Sequence, residues 1–285
     1  MATHVEQPKP RSVVPIGGFG RLLVCLVAAF VVLAPLGVAV MNGLKSKGQV
    51  VNRPFSLPDP VLWSNYTDIL RSHAFWRQLG NSALVMLATT FLILAFASAA
   101  AFVFARMPFR GREFLFTFYV LGLLFPLAVA ILPVYLLIRE LGLVDTLWGI
   151  ILPQVAFLMP LSVLILRNFF LGVPNELEDA AYVDGATAFQ FFTRILLPLA
   201  RPGLAAVAVL TMVYSWNNFF LPLVVLNSEK HWTLPLGVMQ YSGQYSSDWG
   251  AILAFVTLAM LPAIIFYLFA ERQIIAGLTA GSLKG

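Results

Sequence analysis

Charged and apolar positions are strongly segregated along this chain of 285 residues. Six runs contain no Asp, Glu, Lys, Arg or His: Leu22 to Met41, Leu79 to Ala105, Phe114 to Ile138, Leu147 to Leu166, Leu204 to Leu226 and Gly250 to Ala270. A helix crosses roughly 30 Å of hydrocarbon with about 20 apolar residues, so each run predicts one transmembrane helix. The first run is longer than the roughly 7–15 apolar residues of a secretory signal, and no small-x-small cleavage site follows Met41, so it is expected to stay as the first helix. The expected fold class is an all-α membrane protein with six transmembrane helices.

The positions of Lys and Arg between the runs predict the orientation. With the N-terminus inside, eleven fall on the cytoplasmic side and seven outside. Five of those seven (Lys45, Lys47, Arg53, Arg71 and Arg77) sit in the single external loop that follows the first helix. Six spans then leave both termini cytoplasmic, with tails at residues 1–21 and 271–285. The first external loop, 42–78, includes Pro54, Pro58 and Pro60, and its stretch WSNYTDILRSHAFWRQLGNS reads as an interfacial approach to the second span, anchored by Trp63 and Trp76. Its sequon, Asn65-Tyr66-Thr67, is expected to stay unmodified. Prolines inside the runs (Pro35, Pro126, Pro133, Pro153, Pro160, Pro222 and Pro262) fit either kinked helices along a pathway or ordinary membrane-helix packing.

Composition narrows the function. At 60% hydrophobic and 11% charged, with a mean hydropathy of +0.86, the chain has too little charge to cover a soluble globule and is too apolar for disorder. A net charge of +5 reflects the cytoplasmic bias and not nucleic-acid binding. The single cysteine, Cys25, forms no internal disulfide. His4, His73 and His231 all lie outside the spans, and neither HExxH nor a G-x-x-x-x-G-K-[ST] loop occurs, which argues against an intramembrane enzyme and against ATP binding by this chain. No metal or cofactor is expected in it. Ion-coupled transporters generally use ionisable groups within the membrane. The uncharged spans therefore place the energy source on a partner.

One connection stands apart: residues 167–203, between the fourth and fifth runs, with four carboxylates near its start. Asn175 after Pro174 is expected to cap a short helix whose first turn holds Glu176, Glu178 and Asp179. Asp184-Gly185 supplies a break, and Thr187 caps a second helix running through Phe189, Phe191, Phe192 and Ile195 toward Pro198. Such a pair fits a plug for a groove on a cytoplasmic partner, or an interfacial segment lying on the membrane.

At these residues the sequence resembles the EAA motif of binding-protein-dependent ABC importer permeases. The matching positions are Ala180, Ala181, Asp184, Gly185, Ile195, Leu197 and Pro198, with Asp179 where the family usually has Glu and Glu178 beside it. SWNNFFLPLVVL (Ser215 to Leu226) and the terminus ERQIIAGLTAGSLKG resemble the carbohydrate-uptake branch, specifically its maltose-type second permease subunit. The resemblance implies a type I ABC importer permease fold, with a permease core over 79–270. Its coupling residues would be Glu178, Asp179, Ala180, Ala181, Asp184, Gly185, Phe191, Ile195 and Pro198. The implied partners are a sister permease, paired ATPase subunits holding ATP and Mg, and an extracytoplasmic solute-binding protein, all at a bacterial or archaeal cytoplasmic membrane.

The fifth run concentrates polar groups, Tyr214, Ser215, Trp216, Asn217 and Asn218, with Gln154 and Tyr119 on neighbouring runs. Amides and hydroxyls beside aromatic faces suit a neutral polyhydroxylated solute, and they serve equally for helix–helix hydrogen bonds. A stand-alone channel or facilitator for small neutral solutes is the alternative function. The glycine-rich C-terminal tail reads either as a flexible end or, by the resemblance, as a contact with the ATPase.

Overall fold

A computed structural model of the chain describes residues 18–243 and 247–282. The N-terminal tail with Lys9 and Arg11 lies outside the described residues, as does Lys284. The described residues are almost entirely helical, with one isolated bridge between Ser242 and Ser247. Among the described residues thirteen α-helices follow in order: α1 (Gly18–Gly43), α2 (Lys47–Asn52), α3 (Ser64–Arg71), α4 (His73–Arg106), α5 (Arg112–Val120), α6 (Leu127–Glu140), α7 (Trp148–Leu171), α8 (Asn175–Val183), α9 (Ala188–Phe191), α10 (Leu197–Leu199), α11 (Arg201–Trp216), α12 (Phe220–Val225) and α13 (Trp249–Ser282).

Helices α1, α4 and α7 are each long and apolar enough to cross a membrane unbroken. The third predicted run is not one rod: α5 and its following 3-10 turn meet α6 at a 99° bend. The break falls at Phe125-Pro126, where Pro126 is extended (ψ 134°) and has no amide to continue the ladder. Pro153 and Pro160, by contrast, are absorbed within continuous α7. The fifth predicted run also divides, α11 ending at Trp216 before α12 begins at Phe220. The Asn218 side chain accepts the Leu221 amide at 3.3 Å, so the second of the two asparagines starts the new helix. The glycine-rich tail, read above as a flexible end or an ATPase contact, continues α13 as helix to Ser282.

The most extensive helix pair is α4 against α7, with α11 packed on α4 and α13, and α1 laid along α13 at the periphery. Ala97, Ala101 and Ala105, four residues apart on α4, are buried against Val163, Leu166 and Phe170 of α7. Small residues at this spacing bring helix backbones close where lipid offers no hydrophobic drive for association. The same cluster takes in Ala181, Phe191 and Leu196, so α8 and the helices after it are seated on the α4/α7 body.

Polar contacts fix the segments at the opposite ends of these helices. Lys45, counted above among loop charges, is fully buried, and its ammonium donates to the Arg53 and Pro54 carbonyls at 3.0 Å each. Burial lowers its pKa from the usual lysine value. The Asn65 amide of the sequon is occupied, donating to the Gly43 and Lys45 carbonyls at 2.9 and 3.0 Å. Asp145, at φ 59°, joins the α6–α7 connection to the segment after α12. It accepts the Asn227 and Ser228 amides at 3.0 and 2.9 Å and the Ser228 hydroxyl, and stands 3.4 Å from His231.

Partial burial pushes the Asp145 carboxyl up, but the hydrogen bonds from Ser228, Asn227 and His231 outweigh it and bring its pKa down to about 2. A depressed carboxylate pKa contributes stability that is present above the ordinary value near 3.8 and lost as the pH falls toward 2. Asp145→Asn is therefore expected to cost about 1–3 kcal/mol at neutral pH. Thermal unfolding of the purified complex should show the gap to wild type at pH 6 and its narrowing between pH 4 and 2.

Candidate functional site

The segment after α7 folds as expected in outline and differs in how it is anchored. Gly185 occupies φ +84°, the left-handed conformation that a side chain at this turn would strain. Thr187 accepts the Gln190 amide at 3.2 Å while the Gln190 side chain accepts the Thr187 amide at 2.8 Å, a reciprocal cap that starts α9. The chain then passes through a π-helical turn, Phe192–Leu196, and α10, and bends by 76° into α11. Pro202 in the first turn of α11 tolerates this corner because its missing amide would have no partner there.

Asn175 does not cap α8. Pro174 holds the cap position, and the Asn175 side chain accepts from Arg106 at the end of α4. The Arg106 guanidinium also donates to Glu178 at 3.2 Å and to the Phe170 and Val173 carbonyls at the end of α7. Its side chain is 4% exposed and that of Glu178 14%. Glu178 further accepts the Tyr182 hydroxyl at 2.9 Å. Burial raises the Tyr182 phenol pKa, and the bond to Glu178 with its negative charge raises it further.

A second arginine braces the same end of the molecule. Arg167 donates to the Phe104 carbonyl at 3.1 Å and to Glu113 at 2.6 Å, with its guanidinium 4.0 Å from the centre of the Phe116 ring. Both arginines entered the sequence reading only as orientation charges, because their partners lie 54 to 72 positions away.

The remaining loop candidates separate into two faces. Ala181 and Phe191 are buried, and Ile195 is half-buried against the core. Asp179, Ala180, Asp184, Gly185 and Pro198 are exposed. They share the outer surface with Val183 and Phe189, which are 87% and 72% exposed on either side of the Gly185 turn.

The pathway candidates are not gathered into one site. Trp216 and Asn217 line a hollow of about 400 Å³ with Met86, Met212, Met260 and Tyr267, between α4, α11 and α13. A neighbouring hollow of about 230 Å³ shares Trp216 and Asn217 and reaches Leu234 and Val238. Both flank the break after α11. The Asn217 amide donates to its own helix at the Val213 carbonyl, 2.8 Å away. Ser215 is buried with no partner for its hydroxyl, and Tyr214 is half-buried. Gln154 is buried between helices, accepting the Thr89 hydroxyl at 3.4 Å with its amide nitrogen unpartnered. Tyr119 packs beside Phe104, the ring centres 6.2 Å apart. Among the described residues no cluster of His, Cys, Asp or Glu is arranged to hold a metal ion.

The family model for the binding-protein-dependent transport system inner membrane component matches residues 92–276. The trehalose transport system permease protein SugB of Mycobacterium tuberculosis is 36% identical over 231 residues, covering 80% of this chain and 84% of that protein. The arabinooligosaccharides transport system permease protein AraQ of Halalkalibacterium halodurans is 34% identical over 261 residues, covering 90% and 93%. Among solved structures, a chain of a bacterial ABC transporter involved in the import of the acidic polysaccharide alginate superposes with a TM-score of 0.76 at 22% identity, over 93% of this chain and 99% of that one. That likeness establishes a shared fold. The resemblance read from the EAA-like loop thus holds over most of the chain, which belongs to the binding-protein-dependent transport system inner membrane components, the multi-pass permease subunits of ABC importers.

Proposed function

We propose that this permease carries a neutral sugar or short oligosaccharide inward, driven by ATP hydrolysed on paired ATPase subunits that dock against α8, α9 and α10. The carrying observation is the division of labour between adjacent carboxylates. Glu178 is turned inward onto Arg106, and Asp179 is left exposed beside Val183 and Phe189. An apolar surface flanked by the exposed carboxylates of Asp179 and Asp184 on a short, ordered helix pair suits insertion into a groove of a soluble partner. Asp179 is then the carboxylate that meets the ATPase, and Glu178 serves the permease's own structure. ATP and Mg belong to that partner.

The remaining partners in this reading are a sister permease, completing the translocation pathway between two subunits, and a solute-binding protein outside. The connection 167–203 faces the cytoplasm together with both termini, and six spans follow the six apolar runs, the third and fifth of them broken. Breaks within the membrane are tolerated where irregular backbone lines a cavity, and the hollows at Trp216 and Asn217 flank such a break. The uncharged spans favour a solute without charge, as do relatives named for trehalose and arabino-oligosaccharides.

Reconstitution with the ATPase, sister permease and binding protein should give uptake of neutral oligosaccharides that stops when the ATPase is omitted. Flux through this chain alone, or carriage restricted to uronic-acid oligosaccharides, would contradict the proposal. Gly185→Val forces a β-branched residue into a left-handed conformation and should reduce uptake per ATP hydrolysed by about an order of magnitude. Unchanged coupling in that variant would count against α8–α10 as the site of energy transfer.

A further inference from the structure

We infer that Arg106 is the positioning residue that makes α8 move as one body with α4 and α7, so that displacement of α8 by the ATPase reaches the membrane helices. The inference rests on the reading of α8–α10 as the ATPase-docking element. Its basis is the set of groups that one guanidinium brings together: its own helix α4, the carbonyls of Phe170 and Val173 at the end of α7, and the side chains of Asn175 and Glu178 on α8. The Phe170 carbonyl lies in the last turn of α7 and that of Val173 in the short connection to α8. A planar fork with five donors serves two carbonyls, an amide and a carboxylate at once, which a lysine ammonium does not match.

Stability alone is a poor explanation for this arrangement. A desolvated ion pair is often no more stabilising than apolar residues of the same size, whereas its directional bonds fix register. The body beneath is already braced without Arg106. Arg167 ties α7 to the Phe104 carbonyl of α4 and to Glu113 on α5, and the alanine seam of α4 packs on α7. Among the described residues, Arg106 supplies the polar side-chain link from that body to α8. The other attachment of α8 is apolar, through Ala181 and the Tyr182–Phe191 ring contact at 6.1 Å. Apolar contacts resist separation but permit sliding, and a lever that slides loses its stroke.

The test uses the assembled complex in proteoliposomes with its binding protein, comparing Arg106→Gln, Arg106→Lys and Glu178→Gln with wild type. The readout is sugar taken up per ATP hydrolysed. The expected result is a fall of about fivefold or more for Arg106→Gln, with smaller falls for Arg106→Lys and Glu178→Gln. A merely structural role would lower complex yield and thermal midpoint and leave the ratio in the surviving complex at the wild-type value. That result in all three variants would overturn the inference. If Arg106→Gln fails to assemble, the other two decide, because each keeps part of the link. Failure of the underlying reading is recognised separately: Gly185→Val would then also keep wild-type coupling.

Discussion

Hydrocarbon admits neither an unpaired backbone group nor an unpaired charge, and the rest of this structure follows from that exclusion. All Asp, Glu, Lys, Arg and His side chains are kept out of the six apolar runs, so they crowd the ends of the helices. There they serve as fasteners. Lys45 closes on two carbonyls, Asp145 gathers two amides and a hydroxyl, and Arg106 and Arg167 tie the ends of α4, α5, α7 and α8 together. The same exclusion leaves the interior to apolar side chains, a seam of small residues on α4 and a few hydroxyls and amides.

In the proposed function, energy for transport enters from outside the membrane through the region after α7. A helix pair with a reciprocal cap, a glycine hinge at φ +84° and a buried seat on Ala181 and Phe191 is stiff where it meets the body. Its far side is exposed and largely apolar. The two carboxylates at 178 and 179 differ by about one helical step of 100°, and that rotation sends one toward Arg106 and leaves the other in solvent.

Local signals in the sequence carried most of this architecture. Length and lack of charge located the long apolar helices α1, α4 and α7, and Gly185 and Thr187 located the turn and the cap because each is needed within a few residues of where it acts. Local signals failed where a tertiary contact decides. Pro126 breaks its helix and Pro153 and Pro160 do not, a difference invisible in the proline itself. Asn175 read as a cap because asparagine favours caps, yet an arginine 69 positions away recruits it. Of the polar residues assigned to a pathway, Trp216 and Asn217 line a hollow, while Gln154 pairs with Thr89 between helices, the ordinary use of an amide in a membrane bundle.

The central claim, that the outer face of α8–α10 is where the ATPase seats, is tested most directly by thiol labelling of Val183→Cys in a Cys25→Ser background. Val183 is 87% exposed in the isolated chain, so a water-soluble maleimide should label the position rapidly in the permease alone. The account predicts strong protection once the ATPase subunits are bound, and a change in protection between nucleotide-free and ATP-bound complexes. Equal labelling rates with and without the ATPase would contradict it.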